Sequence, residues 1–172
     1  ARVLQTIADE RADYVLIGMP GCGKTTVGTL LAEQSGRRFF DLDAEIAARS
    51  GRTAAEWIRT RGEDAFRAYE SEVCASLAAE SGAVIACGGG TVTRSENMRR
   101  LCRNGTVICL TRPLDALATA DRPLSADGVA HLYKARRPLY EAYADLTVEN
   151  DGDPAQTARE ILARVRNRKE PL

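Results

Sequence analysis

Gly18-Met19-Pro20-Gly21-Cys22-Gly23-Lys24-Thr25 meets every fixed position of the pattern G-x-x-x-x-G-K-[ST], and the residues on either side of it decide the fold. The apolar run Tyr14-Val15-Leu16-Ile17 before it reads as a buried strand, and residues 24–34 after it carry apolar side chains at helical spacing. A glycine-rich loop between a strand and a helix is built to hold phosphate. The glycines let backbone N–H groups turn inward, and the helix N-terminus adds a partial positive charge. Lys24 is placed to reach β- and γ-phosphate oxygens, and the Thr25 hydroxyl to bind Mg²⁺. The stretch predicts a nucleotide-binding loop.

Working outward, apolar runs alternate with amphipathic stretches along the whole chain, which predicts a parallel sheet flanked by helices. Strands are predicted at 14–17, 38–42, 83–86, 107–110 and 146–148, and helices at 24–34, 43–49, 54–60, 63–80, 95–103, 128–143 and 154–168. Thr53 and Glu56 form a predicted capping box, with Gly51 and Gly62 punctuating the chain on either side. Residues 119–127, polar and proline-containing between two helical stretches, read as a movable lid.

With 172 residues the chain reads as mainly one domain, able to bury about 70% of its unfolded surface. Its 24 Lys and Arg balance 24 Asp and Glu, so no global field recruits nucleic acid or a membrane, and specific clusters must carry the chemistry. No apolar run approaches the roughly 20 residues of a membrane span. Five cysteines without a CxxC pair argue against a disulfide framework or a zinc site, and for a reducing cytoplasm. Cys22, although inside an electropositive loop, reads first as a space-filling residue.

Asp41-Leu42-Asp43 closes the second predicted strand, and strand alternation puts both carboxylates on one side at the carboxyl edge of the sheet, where open parallel sheets bind ligands. One is suited to support Mg²⁺ and the other to accept a proton from a substrate hydroxyl; equally, Asp43 reads as a cap of the next helix. Cys87-Gly88-Gly89-Gly90 follows the third strand, without an acidic residue at the strand end, so Asp41 is the better magnesium candidate. Among many arginines, Arg67, Arg122 in the expected lid and Arg136 stand out by position, because a guanidinium fork suits carboxylate or phosphate. His131, the only histidine, reads as a surface or packing residue, and Trp57 as packing a helix or bordering a pocket.

Taken in order, these motifs resemble the shikimate kinase family: the phosphate loop, Asp41-Leu42-Asp43, Gly62-Glu63 with Phe66-Arg67, Gly88-Gly89-Gly90, Arg122-Pro123-Leu124, and Arg136-Arg137-Pro138-Leu139-Tyr140. The resemblance covers residues 14–166. It implies a three-layer α/β fold like the nucleoside monophosphate kinases, with a five-stranded parallel sheet in the order 2-3-1-4-5 and a short lid. It also implies phosphorylation of the shikimate 3-hydroxyl by MgATP, a step toward aromatic amino acids. Carried over by position, Asp43, Arg67, Gly88, Gly89, Gly90 and Arg136 match the shikimate-binding residues, with the two arginines clamping the carboxylate. Asp43 is also the implied acceptor of the hydroxyl proton, and Lys24 and Arg122 the stabilisers of the transferring phosphate. Gly21, Cys22, Gly23, Lys24, Thr25, Thr26 and Arg122 make the implied nucleotide subsite, and Thr25 and Asp41 the metal site.

The chain departs from the family pattern in two places. The segment from Leu110 to Arg122 is shorter than in many members, and residues 117–121 lack the arginine that often stacks on adenine, so Pro154 is expected to offer an apolar contact to the base instead. Residues 1–12 extend beyond the minimal domain that begins at residue 13, which suggests a fused N-terminal domain or linker; the enzyme is otherwise expected to act as a monomer. A kinase of another small acceptor such as gluconate is disfavoured by Asp43, Arg67, Gly89 and Arg136. A regulatory domain that binds ATP or a small acid and regulates a fused partner is disfavoured because Lys24, Asp43 and Arg122 are all kept.

Overall fold

The strand entering the phosphate loop is buried on both faces, and the rest of the molecule is arranged around it. In the computed structural model, which describes residues 12–118 and 126–169, this strand is β1 (Asp13–Ile17) and all five residues are buried. It is followed by α1 (Lys24–Ser35), β2 (Arg38–Asp41), α2 (Leu42–Ser50), α3 (Ala54–Arg61), α4 (Glu63–Leu77) and β3 (Ala83–Ala86). A 3₁₀ turn (Thr91–Thr93) precedes α5 (Ser95–Asn104), β4 (Gly105–Thr111), the short α6 (Leu114–Ala118), α7 (Ala126–Tyr143), β5 (Leu146–Glu149) and α8 (Pro154–Lys169).

The five strands form one parallel sheet, as the alternation of apolar runs and helices predicts, in the order β2-β3-β1-β4-β5 that the family resemblance implies. β1 pairs with β3 through Leu16 and Ala86 and with β4 through Ile17 and Cys109. All strands therefore deliver their carboxyl ends to one edge, where open parallel sheets place their ligands. Leu16, Ile17, Ile85, Ile108 and Leu110 from the sheet, with Leu31, Leu77, Met98 and Ile161 from the helices, make the core.

Most predicted elements shift by only one to three residues, but one shift changes the chemistry. β2 ends at Asp41, and Leu42 already begins α2, so Asp41 and Asp43 do not alternate along one strand. The cause is a cap: Asp41 stays extended and its Oδ1 accepts the Ala44 N–H at 3.1 Å, which starts the helix one residue earlier than predicted. Asp41, not Asp43, is the capping residue. The predicted Thr53–Glu56 capping box is present, with the Glu56 carboxylate accepting the Thr53 N–H at 2.7 Å. Helix α4 stops at Leu77 and not at residue 80, α7 begins two residues earlier than predicted, and the 3₁₀ turn and α6 were not foreseen. Trp57 packs between helices: it stacks on Tyr69 with ring centroids 4.9 Å apart, and its Nε1–H donates to Ser50 at 2.9 Å. His131 is exposed. Most of the expected lid, residues 119–125, and most of the N-terminal extension, residues 1–11, lie outside the described residues. No helix among the described residues is long and apolar enough to cross a membrane.

Four of the five cysteines (Cys22, Cys74, Cys87 and Cys109) are buried, and Cys102 alone is exposed. Burial pushes the Cys74 and Cys109 thiols up to about 12 and the Cys87 thiol well above its usual range, so all three stay protonated and unreactive at neutral pH. Alkylation of the native protein at pH 8 should therefore add one equivalent, mapped by mass spectrometry to Cys102, with the other four reacting only after unfolding.

Candidate active site

Helix α1 differs from its neighbours at the end that matters. Its N-cap is Gly23, with φ +95°, no side chain caps it, and its first turn carries no acidic residue. The first N–H groups of a helix have no internal partner, so this end is open to an anion. Gly23 is required there twice over, by its positive φ and because a Cβ would collide with the Asn150 side-chain amide.

Lys24 is buried, and its Nζ donates to the carbonyls of Gly18 and Met19, both at 2.9 Å, with the Cys22 sulfur 3.7 Å away. Its ammonium is thus held at the head of the loop by the loop's own backbone. Cys22 is fully buried and its N–H donates to Met19 O at 3.2 Å, so it shapes the loop from beneath. That agrees with the space-filling reading of its side chain. From the far side, Asn150, also buried, donates from Nδ2 to Cys22 O at 2.9 Å and accepts the Thr157 hydroxyl at 3.0 Å.

The loop forms one wall of a cleft of about 400 Å³, within the range of small-molecule sites. Gly21, Gly23, Lys24, Thr25 and Thr26 line it on the loop side. Asp41 at the end of β2, Asp43 in the first turn of α2, and Cys87 and Gly89 just past β3 face them. The Thr25 hydroxyl donates to Asp41 Oδ2 at 2.6 Å, bringing together a hydroxyl and a carboxylate 16 residues apart. These are hard oxygen donors on the phosphate side of the cleft, the kind that Mg²⁺ takes alongside water and phosphate oxygens.

The three glycines after β3 are explained by space, because none of them has a positive φ. A Cβ on Gly88 would stand 2.9 Å from Asp43 Oδ1, one on Gly89 would strike the Pro20 ring at 2.7 Å, and one on Gly90 would strike the Arg67 guanidinium. Each glycine leaves room for a different neighbour, so the turn joins α2, the phosphate loop and α4. Side chains of the protein itself fill the space that the missing Cβ atoms leave.

Arg67 points toward this turn because α4 fixes it. Glu70, one turn further along and only 1% exposed, accepts from Arg67 Nη1 at 2.7 Å with one carboxylate oxygen and from the Thr91 hydroxyl at 3.0 Å with the other. A buried carboxylate needs such partners, and here they orient the guanidinium and pin the 3₁₀ turn. Arg136, half-buried on α7, lies beside Tyr140 one turn on, and the Tyr140 hydroxyl donates to Gly89 O at 2.7 Å. Burial raises the Tyr140 pKa against the lowering effect of Arg136, so the phenol stays a donor.

Of the expected site residues, the cleft itself thus gathers Gly21, Gly23, Lys24, Thr25, Thr26, Asp41, Asp43 and Gly89. Gly88 and Gly90 lie against Asp43 and Arg67, and Arg136 lies beside Tyr140, which bonds Gly89. Pro154, half-buried, opens α8 and does not line the cleft, and Arg122 lies outside the described residues. Sequence reasoning missed Glu70, Asn150 and Arg112, the last of which also lines the cleft. The available signal for Glu70 was its place on the apolar stripe Phe66, Val73, Cys74 and Leu77 of α4. Asn150 and Arg112 each follow the last residue of a strand, β5 and β4, at the ligand edge of the sheet.

Gly89→Ala and Gly90→Ala should part company in urea unfolding. The first forces a methyl into a rigid proline ring and is expected to cost about 1–3 kcal/mol. The second meets the end of a flexible side chain, displaces Arg67 and costs distinctly less. Equal losses would show that the turn is not built around these two neighbours.

The family model described as "Shikimate kinase" matches residues 20–166. A shikimate kinase of Persephonella marina is 38% identical over 160 residues, spanning 88% of this chain and 97% of its own. One of Symbiobacterium thermophilum is 38% identical over 171 residues, spanning 92% and 98%. Among solved structures, shikimate kinase from Acinetobacter baumannii in complex with shikimate superposes with a TM-score of 0.90 at 33% identity, covering 97% of this chain and 99% of that one. A gluconokinase from Sinorhizobium meliloti, with a TM-score of 0.61 at 17% identity, shares the fold alone. The phosphate loop, the sheet order and these relatives together establish that the chain belongs to the shikimate kinase family.

Proposed function

We infer that the residues of this cleft transfer the γ-phosphoryl group of ATP to the 3-hydroxyl of shikimate. The chain is an ATP-dependent kinase of shikimate, acting in aromatic amino acid biosynthesis. The observation that carries the assignment of roles is the convergence on the Gly88–Gly90 turn. Asp43 and Arg67 sit against it on one side, and the phosphate loop, through Pro20, on the other.

The nucleotide end is the open N-terminus of α1. The uncapped N–H groups of its first turn receive phosphate oxygens, and Lys24 adds charge by turning from the loop carbonyls toward the terminal phosphates. Thr25 and Asp41 would hold Mg²⁺, which when bound neutralises phosphate charge. The family resemblance assigns Arg122 to the charge around the transferring group and Pro154, outside the cleft's lining, to the base.

The acceptor end binds a small carboxylate with ring hydroxyls. Arg67, preset by Glu70, and Arg136, beside the Tyr140 that bonds the Gly89 carbonyl, clamp the carboxylate. Asp43 accepts the proton of the 3-hydroxyl as its oxygen forms the new bond to the γ-phosphorus and ADP departs with the bridging oxygen. Rigid positioning of two reactants can contribute up to about 7–11 kcal/mol, so a site that mainly orients its substrates suffices for this chemistry.

Asp43→Asn should leave ATP affinity nearly intact and cut turnover at least about a hundredfold. Steady-state kinetics with ³¹P NMR of the product decides this: near-normal turnover, or a phosphate on another hydroxyl, would remove Asp43 from its role. Arg136→Ala should act differently, raising the KM for shikimate while leaving that for ATP unchanged. An unchanged shikimate KM would break the carboxylate clamp.

A further inference from the structure

Arg112 is the first residue beyond β4, and β4 runs parallel beside β1, with Ile17 opposite Cys109. The two strands leave the sheet side by side, so the chain after β4 rises next to the phosphate loop. A Cβ on Gly18 would already touch the Leu110 carbonyl. Arg112 exploits this neighbourhood: it lines the same cleft as Lys24 and Thr25, and its Nη1 lies 3.5 Å from Gly21 O.

That contact underuses the group. At 3.5 Å it is at the long limit of a hydrogen bond, and it engages one of five donors in a planar fork suited to paired anionic oxygens. The side chain is exposed, and no ion pair among the described residues involves it. Its backbone is fixed by the end of β4 on one side and Pro113 on the other, so the guanidinium can turn while its base stays in place. In loops of this pattern the arc containing Gly21 wraps the nucleotide phosphates.

We propose that Arg112 is a phosphate-binding residue of the nucleotide subsite, exchanging the Gly21 carbonyl for oxygens of the ATP polyphosphate. The proposal rests on the reading of the phosphate loop as the ATP site. The exchange replaces one long bond to a neutral carbonyl by bonds to anionic phosphate oxygens beside Lys24, adding a second cation on the β4 side of the loop. It also gives the short segment after β4, where α6 (Leu114–Ala118) carries no basic residue, a means of contacting nucleotide.

The test is calorimetric titration of wild type, Arg112→Ala and Arg112→Lys with ATP and ADP in the presence of Mg²⁺, with adenosine measured by competition. Arg112→Ala should weaken ATP and ADP about tenfold or more, the scale of one lost charged hydrogen bond. Adenosine and shikimate affinities and the thermal midpoint should not change, and Arg112→Lys should recover part of the loss. Wild-type ATP affinity in Arg112→Ala, or an equal loss for adenosine, would overturn the proposal, the latter by making the side chain a base contact. Failure of the wild type itself to bind ATP would overturn the reading of the loop on which the proposal stands.

Discussion

Close packing around one glycine turn is the constraint on which the site depends. Gly88, Gly89 and Gly90 follow β3, the strand beside the central β1, and the space where their side chains would be is taken by Asp43, Pro20 and Arg67. Interiors are packed tightly enough that a single added methyl is felt. Three elements distant in sequence, the phosphate loop, α2 and α4, are therefore held in fixed relation by the absence of three Cβ atoms. Glu70 reinforces this from below, binding Arg67 with one oxygen and Thr91 with the other.

The sheet supplies the rest of the logic. Gly18, Asp41, Cys87, Arg112 and Asn150 each sit at or just past the carboxyl end of a different strand, so five parallel strands present five separate contributions to one edge. The helices that follow are finished differently. α2 is capped by Asp41 and α3 by a capping box, whereas α1 has neither a side-chain cap nor an acidic first turn. An uncapped helix end left facing a cleft, with a lysine as its first residue, is a stability cost that an anionic ligand offsets.

The sequence made the architecture legible because its signals were local: a loop pattern between a strand and a helix, apolar runs of strand length, and glycines at helix ends. It also indicated most of the residues that meet in the cleft. What it obscured depends on tertiary contact. Strand alternation placed Asp41 and Asp43 together for the wrong reason, since the Asp41 cap ends the strand and Asp43 reaches the cleft from the first turn of α2. Glu70 lies on the apolar stripe of α4, but its hold on Arg67 and Thr91 is seen only in the folded chain. Arg112 resembles any surface arginine, because nothing local reveals that β4 ends beside the phosphate loop.

On the proposed reading, one cleft holds ATP at the end of α1 and a small carboxylate acceptor at the glycine turn. The most direct measurement is ADP release from MgATP with shikimate, with gluconate and with no acceptor. Shikimate-dependent turnover of at least about 1 s⁻¹ is expected, with the other two at background. Tight ATP binding without turnover on any acceptor would contradict that reading.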